Sequence, residues 1–148
     1  AGILVTRVVY VKETASRTFL VIDAAMNDLL RPMLYEAWHA IEPLRAPASG
    51  SELKAVDIVG PICESTDTFA RQRLMPAVQG GDLLAIFSTG AYGAAMSSTY
   101  NSRLLAPEIL VRGDSAAVVR ARRSYRDLIE QDSLPDWLTT DPGIAKEA

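Results

Sequence analysis

Six stretches rich in β-branched and aromatic residues, most of them ended by turn formers, constrain this chain more than any other feature. They fall at residues 3–11, 18–23, 53–59, 83–88, 108–112 and 116–122. Ser49-Gly50, Gly60-Pro61, Gly80-Gly81-Asp82 and Gly113-Asp114 stand between most of them. Such residues pack well on a pleated surface and lose rotamer freedom in a helix. Arg112-Gly113-Asp114-Ser115, between two such runs, is a short hairpin signal. The intervals with helical character are too short and too few to follow every strand, as an alternating βαβ fold demands. The pattern predicts a mainly β domain: antiparallel strands in a Greek-key-like barrel or sandwich, with short helices interspersed.

Three short helices are expected among the strands and a fourth near the end. Pro32 suits a first helical position, where its fixed φ fits and its missing N–H costs nothing, and this predicts a helix over 32–40. Pro32 biases Arg31 away from helical geometry, so Arg31 is expected at the cap and Tyr35 one turn on. Asp67 or Thr68 can cap a helix running through Arg73 and stopped by Pro76. Residues 91–100 start at a glycine turn and are dense in small residues. Residues 124–131 read as an amphipathic helix with Tyr125, Leu128 and Ile129 on one face. Residues 139–148 carry turn formers without a period and are expected to be mobile.

A chain of 148 residues with 49% hydrophobic and 22% charged residues is one domain's worth of ordinary globular composition. The net charge of −3, with both signs scattered, recommends neither nucleic acid nor an anionic membrane as partner. One cysteine and one histidine, Cys63 and His39, exclude an internal disulfide and make a structural zinc site implausible. A reducing cytoplasm fits this usage. No apolar run approaches the ~20 residues of a membrane span. The chain opens inside strand signal at Ala1, without a methionine, which reads as a fragment of a longer protein.

Cys63 lies in Ile62-Cys63-Glu64-Ser65-Thr66-Asp67, just past the Gly60-Pro61 that ends a strand. A free cysteine is by default a buried core thiol. The polar residues around this one place it instead in a strand-end loop, where functional groups gather. Glu64 reads, as a residue alone, as a solvated acid. Arg31 reads as a surface charge or as a fork for a carboxylate. Tyr35 is a half-buried packing residue or a ligand contact on the same helix end as Arg31. Tyr92, between Gly90 and Gly93, is a core tyrosine or a group at a backbone that a ligand approaches closely. Trp38, His39 and Asp57 have no constellation around them and read as packing or surface residues.

Four segments in this order and at these separations, Arg31-Pro32-Met33-Leu34-Tyr35, Cys63-Glu64-Ser65-Thr66-Asp67, Gly90-Ala91-Tyr92-Gly93 and Ser98-Thr99-Tyr100-Asn101-Ser102-Arg103, resemble the carboxy-terminal domain of the diaminopimelate decarboxylases, pyridoxal-phosphate enzymes that make lysine. The resemblance spans residues 1–138. It implies that Cys63 is the acid returning a proton to the substrate's α-carbon after carbon dioxide leaves. A free thiol, with pKa ~8.5, stays mostly protonated near neutrality yet can give its proton up. It implies further that Glu64 binds the ammonium and Arg31 the carboxylate at the distal end of the substrate. Tyr35 becomes a substrate contact and Tyr92 a contact to substrate and cofactor. Tyr100 to Arg103 are expected to serve the fold and the subunit contact more than the chemistry. Thr66 departs from the family, which commonly has glycine there.

The family's cofactor, pyridoxal 5′-phosphate, needs a Schiff-base lysine and a phosphate cradle. Lys12, Lys54 and Lys146 match no such motif. In the family both features come from an amino-terminal β/α barrel, which the resemblance leaves outside this chain. The implied partners are that barrel and a second subunit, since family members are homodimers with active sites between subunits. This chain alone is then expected to be inactive. Two rival readings are a related ornithine or arginine decarboxylase, whose substrate has no distal carboxylate, and a non-catalytic β-barrel binding module.

Overall fold

The computed structural model describes residues 1–47 and 50–139. It divides into two compact units, Ala1–Leu105 and the residues from Ala106 onward. In the first unit lie β1 (Ile3–Glu13), β2 (Thr18–Ile22), α1 (Arg31–Tyr35), β3 (Ile41–Pro43), β4 (Leu53–Val59), β5 (Thr68–Pro76) and β6 (Leu83–Phe87). The strands form one six-stranded sheet in the order β3-β6-β1-β2-β4-β5. Every pairing is antiparallel except β2 with β4, which run parallel through Phe19–Asp57, Leu20–Ile58 and Val21–Val59.

All six strands send side chains into one core. Val8, Leu20, Ile22, Ile41, Val56, Ile58, Phe69, Met75, Leu84 and Ile86 pack together there, as expected of a sheet that curls until its inner face is enclosed. The two edge strands are bridged by the segment before β3: the Arg73 guanidinium donates to the His39 carbonyl at 2.9 Å and stacks 4.6 Å from the Trp38 ring centroid. The result is a Greek-key-like, nearly closed barrel. One strand is joined by a buried charge. The carboxylate of Asp57 accepts from Arg17 Nη1 at 3.1 Å and from the backbone N–H of Gln72 at 2.7 Å, where Gln72 bulges with φ 49°. Burial pushes this carboxyl up, but the bonds from Gln72 and Arg17 together hold it below the usual 3.8.

The second unit begins with a hairpin of β7 (Glu108–Arg112) and β8 (Ser115–Arg120), turned at Gly113 with φ 56°. Then come α2 (Tyr125–Ile129) and α3 (Asp136–Thr139). Ser124 caps α2 in a reciprocal box with Asp127, as its sequence allows.

The strand expectations hold within two residues at each end, but three helices do not form as expected. The helix over 32–40 stops at Tyr35, because Glu36 turns left-handed with φ 55°, and the chain goes on into β3. The helix from Asp67 to Arg73 is strand β5. There Phe69, Ala70 and Met75 enter the core and the backbone pairs with β4, so tertiary pairing overrides a local helical spacing. Residues 91–100 make only short 3₁₀ turns at Ala94–Met96 and Tyr100–Ser102, since Tyr92 has φ 59° and Ser97 is extended. The expectation for 139–148 falls, beyond Thr139, outside the described residues.

Candidate active site

The loop joining β4 to β5, residues 60–67, is closed by its last residue. The Gly60 N–H donates to the Asp67 carbonyl at 2.9 Å, and the Asp67 N–H donates to the Glu64 carbonyl at 3.0 Å. Asp67 is buried, and its Oδ2 accepts the Ile62 N–H at 2.8 Å. Only glycine fits at position 60, because a Cβ there would run into the Asp67 carboxylate. Ile62 is buried beneath the loop, which leaves Cys63, Glu64, Ser65 and Thr66 exposed. Cys63 is therefore a free surface thiol rather than a core one. Thr66 does not have a positive φ, so the loop backbone accepts a side chain where the resembled family commonly has glycine.

Arg31 is the first residue of α1, with Leu30 as the cap, so it stands one position further into the helix than expected. Its guanidinium lies 5.9 Å from the centroid of the Tyr92 ring, near the outer limit of a cation–π contact. Arg31 Nε is buried without a hydrogen-bond partner, while the half-buried side chain carries the planar fork that suits a carboxylate. Tyr35 lies one turn on, with its side chain exposed. Tyr92 is also exposed and precedes the 3₁₀ turns instead of opening a helix. The flanking glycines serve packing within the protein: a Cβ on Gly90 would strike the Ala1 carbonyl, and one on Gly93 the Thr89 carbonyl.

Segment 23–30, between β2 and α1, ties these pieces together. The Met26 N–H donates to Asp67 Oδ1 at 2.8 Å. Buried Asn27 donates through Nδ2 to the carbonyls of Ser98 at 3.1 Å and Tyr100 at 2.7 Å. Arg103 Nη2 reaches the Asp23 carbonyl at 2.6 Å. The structure thus brings Arg31 to Tyr92 and fixes the Cys63 loop to the segment leading into Arg31. No hydrogen bond or ion pair joins Cys63 or Glu64 directly to Arg31, Tyr35 or Tyr92. Asp67 and Asn27 are the structural residues that reading the sequence did not find. The short polar side chain of Asp67 fits a helix cap as well as a loop clamp, and the pairing of β5 with β4 decides for the clamp. A cleft of about 750 Å³ between α1 and β5 is lined by Pro32, Met33, Glu36, Trp38, Thr66 and Arg73, among others, and by none of the five candidate residues.

The described lysines, Lys12 and Lys54, are exposed on β1 and β4 and are not gathered with these loops, so neither fits a covalent anchor for an aldehyde cofactor. Lys146 lies outside the described residues. No described helix is long and apolar enough to cross a membrane.

A family model described as "Pyridoxal-dependent decarboxylase, C-terminal sheet domain" matches residues 1–90. The chain is 46% identical over 138 residues to the diaminopimelate decarboxylase of Zymomonas mobilis, covering 93% of this chain and 32% of that one. A crystal structure of diaminopimelate decarboxylase from M. jannaschii superposes with a TM-score of 0.85 at 40% identity, over 92% of this chain and 31% of its own. That of Helicobacter pylori, complexed with L-lysine, gives 0.79 at 42% identity, over 87% and 31%. The chain spans about a third of the length of the relatives it matches.

Proposed function

Because the chain belongs to the family of C-terminal sheet domains of pyridoxal-dependent decarboxylases, we propose that it is the substrate-side domain of a diaminopimelate decarboxylase. The full-length enzyme removes the carboxylate at the D-configured carbon of meso-diaminopimelate, giving L-lysine and carbon dioxide. Pyridoxal phosphate, anchored by a lysine outside this chain, supplies the electron sink for that bond cleavage. This chain's residues supply the proton and the contacts to the far end of the substrate. Cys63 holds a proton on Sγ and delivers it to the carbon that has lost carbon dioxide, and the thiolate regains a proton from solvent. Arg31 receives the distal carboxylate on the fork of its guanidinium. Glu64, exposed beside Cys63, takes the distal ammonium. Tyr35 and Tyr92 flank Arg31 as further substrate contacts, with Tyr92 also reaching toward the cofactor. The partners of the domain are the rest of its own enzyme and a second subunit, and its free surface thiol suits the cytoplasm.

The observation that carries this reading is the exposed Cys63-Glu64 loop, fastened through Asp67 and Met26 to the segment that runs into Arg31. The test is turnover of meso-diaminopimelate and ornithine by the full-length enzyme, with and without Cys63→Ala. Diaminopimelate should be strongly preferred. The variant should keep its cofactor and lose ~10²–10⁴-fold in kcat, the range for a positioned acid. Equal use of ornithine would move the substrate to the rival decarboxylases, and an undiminished variant would return Cys63 to an ordinary thiol.

A further inference from the structure

Asp67 occupies a position that the decarboxylase reading does not use. Its side chain is 2% exposed, yet it lies two residues past the exposed Ser65 and four past Cys63. Both carboxylate oxygens are engaged, each by a different part of the chain. Oδ2 accepts the Ile62 N–H at 2.8 Å, and so grips the backbone one residue before Cys63. Oδ1 accepts the Met26 N–H at 2.8 Å, across 41 residues, in the turn five residues before Arg31. Its backbone closes the same loop at Gly60 and Glu64. The packing leaves no room for a Cβ at Gly60. A carboxylate can accept two N–H groups from opposite sides. An amide of the same shape has one accepting oxygen, and its NH₂ would face the other N–H.

From this geometry we infer that Asp67 is the positioning residue of the site: it sets where Cys63 stands relative to Arg31 by clamping the Ile62 and Met26 N–H groups on one carboxylate. This rests on the assignment of Cys63 as proton donor and Arg31 as carboxylate binder, and deepens it. Asp67 touches no reacting atom. Its role is to hold the thiol at a fixed distance from the helix end that receives the far end of the substrate. A long two-ended substrate makes this distance matter, because the end bound at Arg31 determines where the reacting carbon meets Sγ.

Two variants of the full-length enzyme test the inference. Asp67→Asn should lower kcat per bound cofactor by ~10–100-fold, the loss that a displacement of an ångström or less can cause. It should also change the rate at which iodoacetamide alkylates Cys63, followed by peptide mass spectrometry, by at least about threefold, while the cofactor absorbance stays unaltered. Met26→Pro removes the other half of the clamp, and its Cδ, set where the N–H pointed, also pushes the Asp67 carboxylate off its 2.8 Å contact. Met26 is the second residue of the turn closed by the Asp28 N–H on the Ala25 carbonyl at 2.9 Å, a position that proline favours. It should lower kcat and alter Cys63 alkylation in the same direction. If Asp67→Asn does not accumulate as a folded enzyme, Met26→Pro alone decides. A merely structural role would lower the yield or the melting temperature and leave kcat per bound cofactor and the alkylation rate within about twofold of the parent, and that result overturns the inference. Cys63→Ala, run in parallel, separates the two claims: if it too leaves kcat intact, the proton-donor reading has failed, and if it alone is crippled, only the clamp has.

Discussion

On the proposed reading Arg31 and Glu64 divide one end of one molecule between them, and their surroundings suit different tasks. Arg31 is half-buried at the start of α1, with Nε enclosed and without a hydrogen-bond partner, so a carboxylate would be met by the terminal N–H groups of its fork. Glu64 is exposed on a loop, where its charge is solvated until a ligand covers it. Arg31→Lys replaces a fork by a point charge. It should weaken diaminopimelate by about 1.5–3 kcal/mol, the value of a hydrogen bond to a charged group, and weaken lysine bound through its α-amino-acid end much less. Glu64→Gln should weaken diaminopimelate by about 2–5 kcal/mol if the ion pair is desolvated in the complex. The two losses should fall short of additivity in the double variant, since both residues grip one group of atoms. Spectroscopic titration of the cofactor band in the full-length enzyme measures all of these. Small and equal effects on both ligands would mark the two residues as surface charges. At this scale the sequence was informative about which residues carry charge and reactivity near loops. It could not show that Asp67 grips two N–H groups, one of them 41 residues away, because that pairing exists only once the sheet has closed.

At the scale of elements, what could be read in advance was local and what could not was long-range. Strands β1, β2, β4, β6, β7 and β8 carry runs of β-branched, aromatic and other apolar residues, and each is recognisable as a strand by itself. Strand β5 mixes Arg71, Gln72 and Arg73 with apolar residues at near-helical spacing, and its state is fixed by β4, to which it pairs from Leu53–Pro76 to Val59–Thr68. Strand β3 is three residues long and is a strand only because β6 lies beside it. The parallel contact of β2 with β4 likewise has no local signature. The β4–β5 pair offers a prediction through Asp57, whose carboxylate is bound by Gln72 and Arg17. Its folded-state pKa lies below the usual 3.8, so its stabilising contribution is present above about pH 4 and is lost as pH falls through the lowered value. Asp57→Asn should therefore cost about 1–3 kcal/mol at pH 7, with the gap to the parent narrowing below pH ~3.8. Urea melts of parent and variant across that range would show it. A gap that stays constant with pH would mean that the charge of Asp57 contributes nothing to the pairing.

On the scale of the whole molecule, the two units differ in how much they bury. The first encloses a core fed by all its strands. The hairpin of the second exposes Ile109, Leu110, Val111, Val118 and Val119 by more than half, on both of its faces. A two-stranded hairpin is marginal on its own in water, and apolar side chains on both faces suit a place between other surfaces. By hydrogen exchange, the amides of β7 and β8 should exchange far faster than those of β1 and β6 in this chain alone, and slow by at least ~10-fold in the full-length enzyme. Equal protection in both would show that the hairpin is already covered without the rest of the enzyme. The bracing of two loops, 60–67 and 98–103, by residues 23–30 bears on attempts to redesign such domains for other amines. A graft of the Cys63 loop alone into a relative would arrive without the Met26 amide that its aspartate needs, and a graft of the Tyr100 turns without the Asn27 amide. On the proposed assignment, a redesign should move residues 23–35, 60–67 and 89–103 together, because the hydrogen bonds among them hold their backbones in place.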